Sequence, residues 1–119
     1  MQGVDVEILK ETMETWDGTK ILPVHLDNPC ITMAKYIVKS GVQLPRHKHP
    51  LIYAGYILSG EITVYKDNGD KIDLVAGDSC IELFEQWHSG KNNGSCDCVI
   101  IVFNIGEKDT PVSILAEVE

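Results

Sequence analysis

The tetrad Asp67-Asn68-Gly69-Asp70 limits what this chain can fold into more than any other stretch. It lies between two runs that alternate apolar and polar residues: Glu61-Ile62-Thr63-Val64-Tyr65 before it, and Ile72, Leu74 and Ala76 after it. Asn-Gly accepts the left-handed backbone of a tight antiparallel turn, and a period of two puts one face of each run on a core. The spacing therefore predicts a β-hairpin. The rest of the chain repeats the pattern. Cys30 to Val38 is rich in strand formers and stops at Ser40-Gly41. Leu51 to Leu58 is apolar and aromatic and stops at Ser59-Gly60. Gly77-Asp78 turns the chain into a strand over Ser79 to Phe84, and Asn92-Asn93-Gly94-Ser95 is a loop. Val99 to Ile105, bounded by Gly106, is the most hydrophobic run and reads as a buried central strand. Val112 to Leu115 adds a last strand after Pro111.

Residues 4 to 16 admit two readings. Val4, Val6 and Ile8 alternate like a strand, whereas Leu9, Met13 and Trp16 line a helical face. Ile21 to Leu26 is a short apolar run broken by Pro23. Many short strands joined by turn residues, with no long helical pattern, predict an all-β sandwich or barrel. At 119 residues and 44% hydrophobic, the chain suits one domain with a full core. No apolar run approaches the length of a membrane helix, and Met1-Gln2-Gly3-Val4-Asp5 lacks the basic flank and apolar stretch of a signal peptide. A cytoplasmic protein with no membrane partner is expected. A net charge of -8 argues against nucleic acid as a partner, because phosphates demand clustered Lys and Arg. Of the cysteines, Cys80 sits in an apolar run, and Cys96 and Cys98 have no second pair at zinc-ribbon spacing. These and Cys30 read as structural or incidental.

The chemistry sits in Arg46-His47-Lys48-His49-Pro50. In an extended chain residues two apart share a face, so His47 and His49 can hold one divalent metal. Alone, the pair reads equally well as a basic surface turn. His88 follows Trp87 at the end of the Ser79 to Phe84 strand, with two hairpin turns, at Ser59-Gly60 and Asn68-Gly69, between it and His49. A barrel can bring such strands side by side. Three imidazoles on one interior suit a catalytic type of metal site, which takes three protein ligands and keeps one position open.

The spacing resembles the cupin superfamily, over about Gly41 to Asn92. Its first motif is a glycine, five residues, His-x-His, a glutamate after three or four more, and a glycine six beyond that. Gly41, His47, His49 and Gly60 stand at those places. The second motif is a glycine, five residues, Pro-x-Gly, two residues, a histidine, three residues and an asparagine, and Gly77, His88 and Asn92 match it. The resemblance implies a small jelly-roll β-barrel with little or no helix. It implies a single domain over 1–119, with N-terminal strands or an arm over 1–28, the barrel core over 29–106 and a C-terminal strand over 107–119. It also implies that His47, His49 and His88 bind one divalent ion. Ligand type does not choose among Fe, Zn, Ni, Mn and Cu. A small-molecule ligand or substrate and a homodimer are implied too, the latter often through an exchanged N-terminal strand that Val4 to Trp16 would supply.

Two places depart from the pattern. The glutamate should fall at 53 or 54, which are Tyr53 and Ala54, and Pro-x-Gly reads Leu83-Phe84-Glu85. Three neutral imidazoles leave the metal's charge uncancelled, which favours anionic or bidentate ligands. Tyr53 and Glu82 are the candidate catalytic residues. Tyr53 either lines the cavity and orients a substrate or is a core tyrosine with its hydroxyl at the rim. Glu82 shares one strand face with Cys80 and Phe84. The family pattern places it inside, where a carboxylate needs a metal, an arginine or a raised pKa. The other reading sends Glu82 to solvent and fills the core with Ile81 and Leu83. Trp16 and Trp87 are either a pocket wall or packing residues, His25 is a structural or surface histidine, Arg46 is at the cavity mouth or solvated, and Asn92 caps a turn. The functions that follow are a metal-dependent enzyme of dioxygenase, isomerase or lyase type, a non-catalytic small-ligand-binding cupin, or a metal-free structural cupin.

Overall fold

Strands begin in earnest at Pro29 in the computed structural model, which describes residues 2–50, 52–82 and 85–117. Nine follow in order: β1 Pro29–Val38, β2 His47–Lys48, β3 Ile52–Ser59, β4 Glu61–Lys66, β5 Lys71–Val75, β6 Ser79–Ile81, β7 His88–Lys91, β8 Cys98–Glu107 and β9 Ile114–Leu115. They form one sheet in the order β1-β8-β3-β6 and another in the order β5-β4-β7-β2-β9, antiparallel throughout. No helix occurs among the described residues. The sheets close on each other through side chains: Val38, Ile57, Leu74, Ile62, Val64, Cys80 and Cys98, drawn from both, make one apolar cluster. The fold is thus all-β and of the jelly-roll kind. It is a sandwich rather than a closed barrel, since no ladder joins one sheet to the other among the described residues.

The alternation in sequence explains which strands form. β8, the most apolar run, lies between β1 and β3 in its sheet. The Asn68-Gly69 hairpin joins β4 to β5, with Gly69 at φ 94° and Lys66 N donating to Asp70 O at 2.8 Å. Ser59-Gly60 is not the hairpin its sequence suggests. β3 pairs with β6 and β8, while β4 pairs with β5 and β7, so this turn carries the chain from one sheet to the other. Gly60 is required there. Its φ is 79°, and a Cβ would stand 2.3 Å from the Asp97 carbonyl oxygen.

Residues 2–28 contribute no strand to either sheet and no helix. A turn from Thr15 to Thr19 and an isolated bridge between Glu14 and Lys20 are its local structure. Trp16 N donates to Ile81 O and Ser79 Oγ donates to Leu9 O, which ties the segment to β6. Val4, Val6 and Ile8 remain exposed. Their alternation alone could not make a strand, because a strand needs a partner edge.

Candidate metal centre

Register brings the histidines together. β2 and β7 pair with His47 directly opposite His88, so both side chains leave the sheet on one face. His49, two residues past His47, points the same way. The three ring centroids lie 4.4 to 5.0 Å apart, and one ligand atom from each ring falls within 4.8 Å of the others. His49 and His88 are each 2% exposed, so two of the three rings are sealed into the sandwich.

Each ring is fixed by a backbone carbonyl. His47 Nδ1 donates to Pro45 O at 2.7 Å, His88 Nδ1 to Gln86 O at 2.8 Å and His49 Nδ1 to Val112 O at 3.0 Å. A carbonyl only accepts, so every Nδ1 carries its hydrogen and every neutral ring offers the Nε2 lone pair to the cavity. Burial lowers His49 to a pKa of about 3 and His88 to about 4. The mutual repulsion of the imidazoles pushes the same way. These rings stay neutral near pH 7, the form that binds metal. His88 Nε2 is buried and makes no hydrogen bond among the described residues. Such a donor set fits a divalent ion.

The cavity in front of the rings is lined by apolar side chains, among them Leu44, Ile57, Ile62 and Leu74, and by the polar groups of Tyr36, Tyr53 and Glu82. The cavity is small, about 50 Å³, which suits a small molecule. Tyr53 is buried and stacks on His49, ring centroids 3.7 Å apart and planes 10° from parallel. Burial raises its hydroxyl far above the ordinary tyrosine value, and a hydrogen bond with Tyr36 adds to this. Glu82 is 8% exposed and lines the cavity. Its Oε1 accepts from Cys80 Sγ at 3.5 Å, and its Oε2 lies 3.5 Å from His88 Nε2. Burial and the Glu82 carboxylate both push the Cys80 thiol pKa up.

The remaining sequence candidates fall elsewhere. Arg46 and Lys48 lie over the Trp87 ring at 4.6 and 5.0 Å, and Trp87 does not line the cavity, and neither does Trp16. Arg46 forms a two-bond pair with Asp67, and His25 sits exposed beside Asp27. Asn92 is wholly buried: Nδ2 donates to Val38 O and Cys96 O, and Oδ1 accepts from Gly94 N. The four cysteines are free. Glu85 explains the altered turn before His88. It stands where the motif has glycine and itself adopts φ 57°, its amide donating to His49 O at 2.7 Å. Leu83 and Phe84 lie outside the described residues. Three features gave no sequence signal: Tyr36 beside Tyr53, Ser113 Oγ at 3.3 Å from His49 Nδ1, and the Val112 carbonyl. All three lie outside the motif span of Gly41 to Asn92.

Residues 35–104 match the cupin domain family. No curated protein matches the chain. Among solved structures, a double-stranded β-helix protein from Klebsiella pneumoniae is 21% identical, with TM-score 0.62, over 82% of this chain and 85% of that one. The DMSP lyase DddQ from Ruegeria pomeroyi is 19% identical, with TM-score 0.60, over 71% of this chain and 42% of that one. The polyketide cyclase RemF from Streptomyces resistomycificus is 15% identical, with TM-score 0.63, over 77% and 63%. The chain therefore spans less than half the length of the lyase and under two thirds of the cyclase. At these identities the likeness is one of fold. No helix among the described residues is long and apolar enough to cross a membrane.

Proposed function

The chain belongs to the cupin domain family, and on that premise we propose that His47, His49 and His88 hold one divalent metal ion and present its open position to a small organic molecule. The observation that carries this is the shared anchoring of the three rings, each with Nδ1 spent on a carbonyl and Nε2 turned to one cavity. A divalent ion there supplies an electrophilic centre that polarises a bound oxygen. The chain's own residues do the rest. The apolar walls exclude water, Tyr53 holds His49 flat and narrows the cavity, and Glu82 places a carboxylate beside the reacting position. Dioxygenase, isomerase or lyase chemistry on a small anionic or bidentate substrate suits this set.

A second reading is a small-ligand-binding cupin without turnover. It is favoured by the Tyr53 hydroxyl, which is paired with Tyr36 and holds its proton tightly. The chain is taken to work as a single domain over 1–119, as a homodimer and in the cytoplasm. Exposed Ile31, Met33 and Ile37 on edge strand β1 support a partner copy, and the free cysteines support a reducing compartment. Elemental analysis of protein purified without added metal, repeated on His47→Ala, tests the proposal. We expect one equivalent of Fe, Zn, Ni, Mn or Cu in the wild type and a loss of at least tenfold in the variant. Failure to bind any of the five under loading refutes it.

A further inference from the structure

We propose that Glu82 supplies the carboxylate ligand that β3 lacks, so that the ion is held by three histidines and a glutamate delivered from the neighbouring strand. This rests on the three-histidine site proposed above.

The register makes the case. The family motif places its glutamate at position 53 or 54 of β3. Ala54 has no donor atom, and the Tyr53 ring lies flat on His49. β3 pairs with β6 as Ala54 to Ile81 and Gly55 to Cys80. One step further along the same ladder brings Glu82 beside Tyr53, and Glu82 N donates to Tyr53 O at 2.8 Å. Neighbouring strands are about 4.8 Å apart, a gap that a glutamate side chain crosses. Glu82 thus stands next to the position the motif reserves for a carboxylate, one strand over.

The distances agree. Glu82 Oε2 is 3.5 Å from His88 Nε2. Two donors bonded at about 2.1 Å to one ion lie about 3.0 to 3.4 Å apart. The protonation pattern points the same way. His88 spends its hydrogen on Gln86 O, which leaves Nε2 a lone pair. The group facing it is the Glu82 carboxyl, and an ion seated between the two atoms would bind both. The carboxylate stands at the edge of the cluster, since the group in which every donor lies within 4.8 Å contains only the histidines. A side-chain rotation of Glu82 closes the remaining distance on an ion drawn toward His47 and His49.

Chelator competition with Zn²⁺, and the visible absorption of Co²⁺-loaded protein, test this on wild type, His47→Ala and Glu82→Gln. We expect Glu82→Gln to weaken Zn²⁺ binding at least tenfold and to change the Co²⁺ bands, while the metal-free variant melts at the wild-type temperature. Affinity within twofold of wild type and an unchanged Co²⁺ spectrum overturn the inference and leave the three-histidine site standing. A wild type that binds neither ion overturns that site itself. A further reading needs no variant: the infrared difference spectrum of wild type with and without one equivalent of Zn²⁺ shows a shifted carboxylate stretch if Glu82 ligates. The absence of any shift refutes ligation.

Discussion

Replacing Asn92 by alanine should cost this protein a large part of its stability. Asn92 begins the loop after β7 and is wholly buried. Its side chain makes three hydrogen bonds: to Val38 O at 2.9 Å, to Cys96 O at 2.8 Å and from Gly94 N at 2.9 Å. Each is worth about 1 kcal/mol net, and truncation strands two carbonyls and an amide rather than removing both partners. We expect a loss of about 3 kcal/mol, against a total of about 5–15 kcal/mol for a domain. For a chain of this size that lowers the melting temperature by about 12 °C. Urea denaturation followed by circular dichroism gives the number. Asn92→Asp sharpens the test. It keeps an acceptor for Gly94 N but turns an oxygen toward two carbonyls, so at pH 7 it should be at least as damaging as alanine. A loss below about 1 kcal/mol for alanine, or an aspartate milder than alanine, refutes the reasoning.

In metal-free protein the lowered pKa values of His49, about 3, and His88, about 4, make stability depend on pH. Exposed imidazole titrates at about 6.5, so between about pH 6.5 and 4 the unfolded chain binds protons that the folded chain refuses. Stability is then full above about pH 6.5 and is lost as pH falls, with a slope of up to about 2.7 kcal/mol per pH unit. Denaturation midpoints from pH 4 to 7.5 should show this slope, and His88→Gln should roughly halve it; a flat profile is the contrary outcome. Glu85→Gly removes a left-handed strain of about 1–2 kcal/mol from a residue at φ 57°. Against this stands about 0.5–1 kcal/mol of added chain entropy in the unfolded state. The Lys48 to Glu85 pair, with Glu85 54% exposed, adds little. A gain of up to about 1 kcal/mol by calorimetry is expected, and a loss above about 0.5 kcal/mol contradicts it.

Alternation and turn chemistry were enough to place β1, β3, β4, β5 and β8, because strands buried on one face write a period of two into the chain. The order of landmarks from Gly41 to Asn92 was enough to join His47, His49 and His88 into one site. β2 and β7 were invisible: two residues, and the polar His88-Ser89-Gly90-Lys91, carry no pattern. They are strands only because they pair with each other and with their neighbours. Ser59-Gly60 looked like a hairpin, since a turn residue records local backbone shape and not which sheet the next strand joins. The two open questions about Glu82 and Tyr53 were also questions of register. β6 sets Glu82 beside Tyr53 and turns it inward, and β1 brings Tyr36 to meet the Tyr53 hydroxyl. Sequence alone pointed to His47, His49 and His88 as one cluster, through the spacing of landmarks, and to the strand grammar, through local patterns. The Val112 carbonyl that fixes His49 and the carboxylate facing His88 were decided by tertiary pairing, which no local pattern encodes.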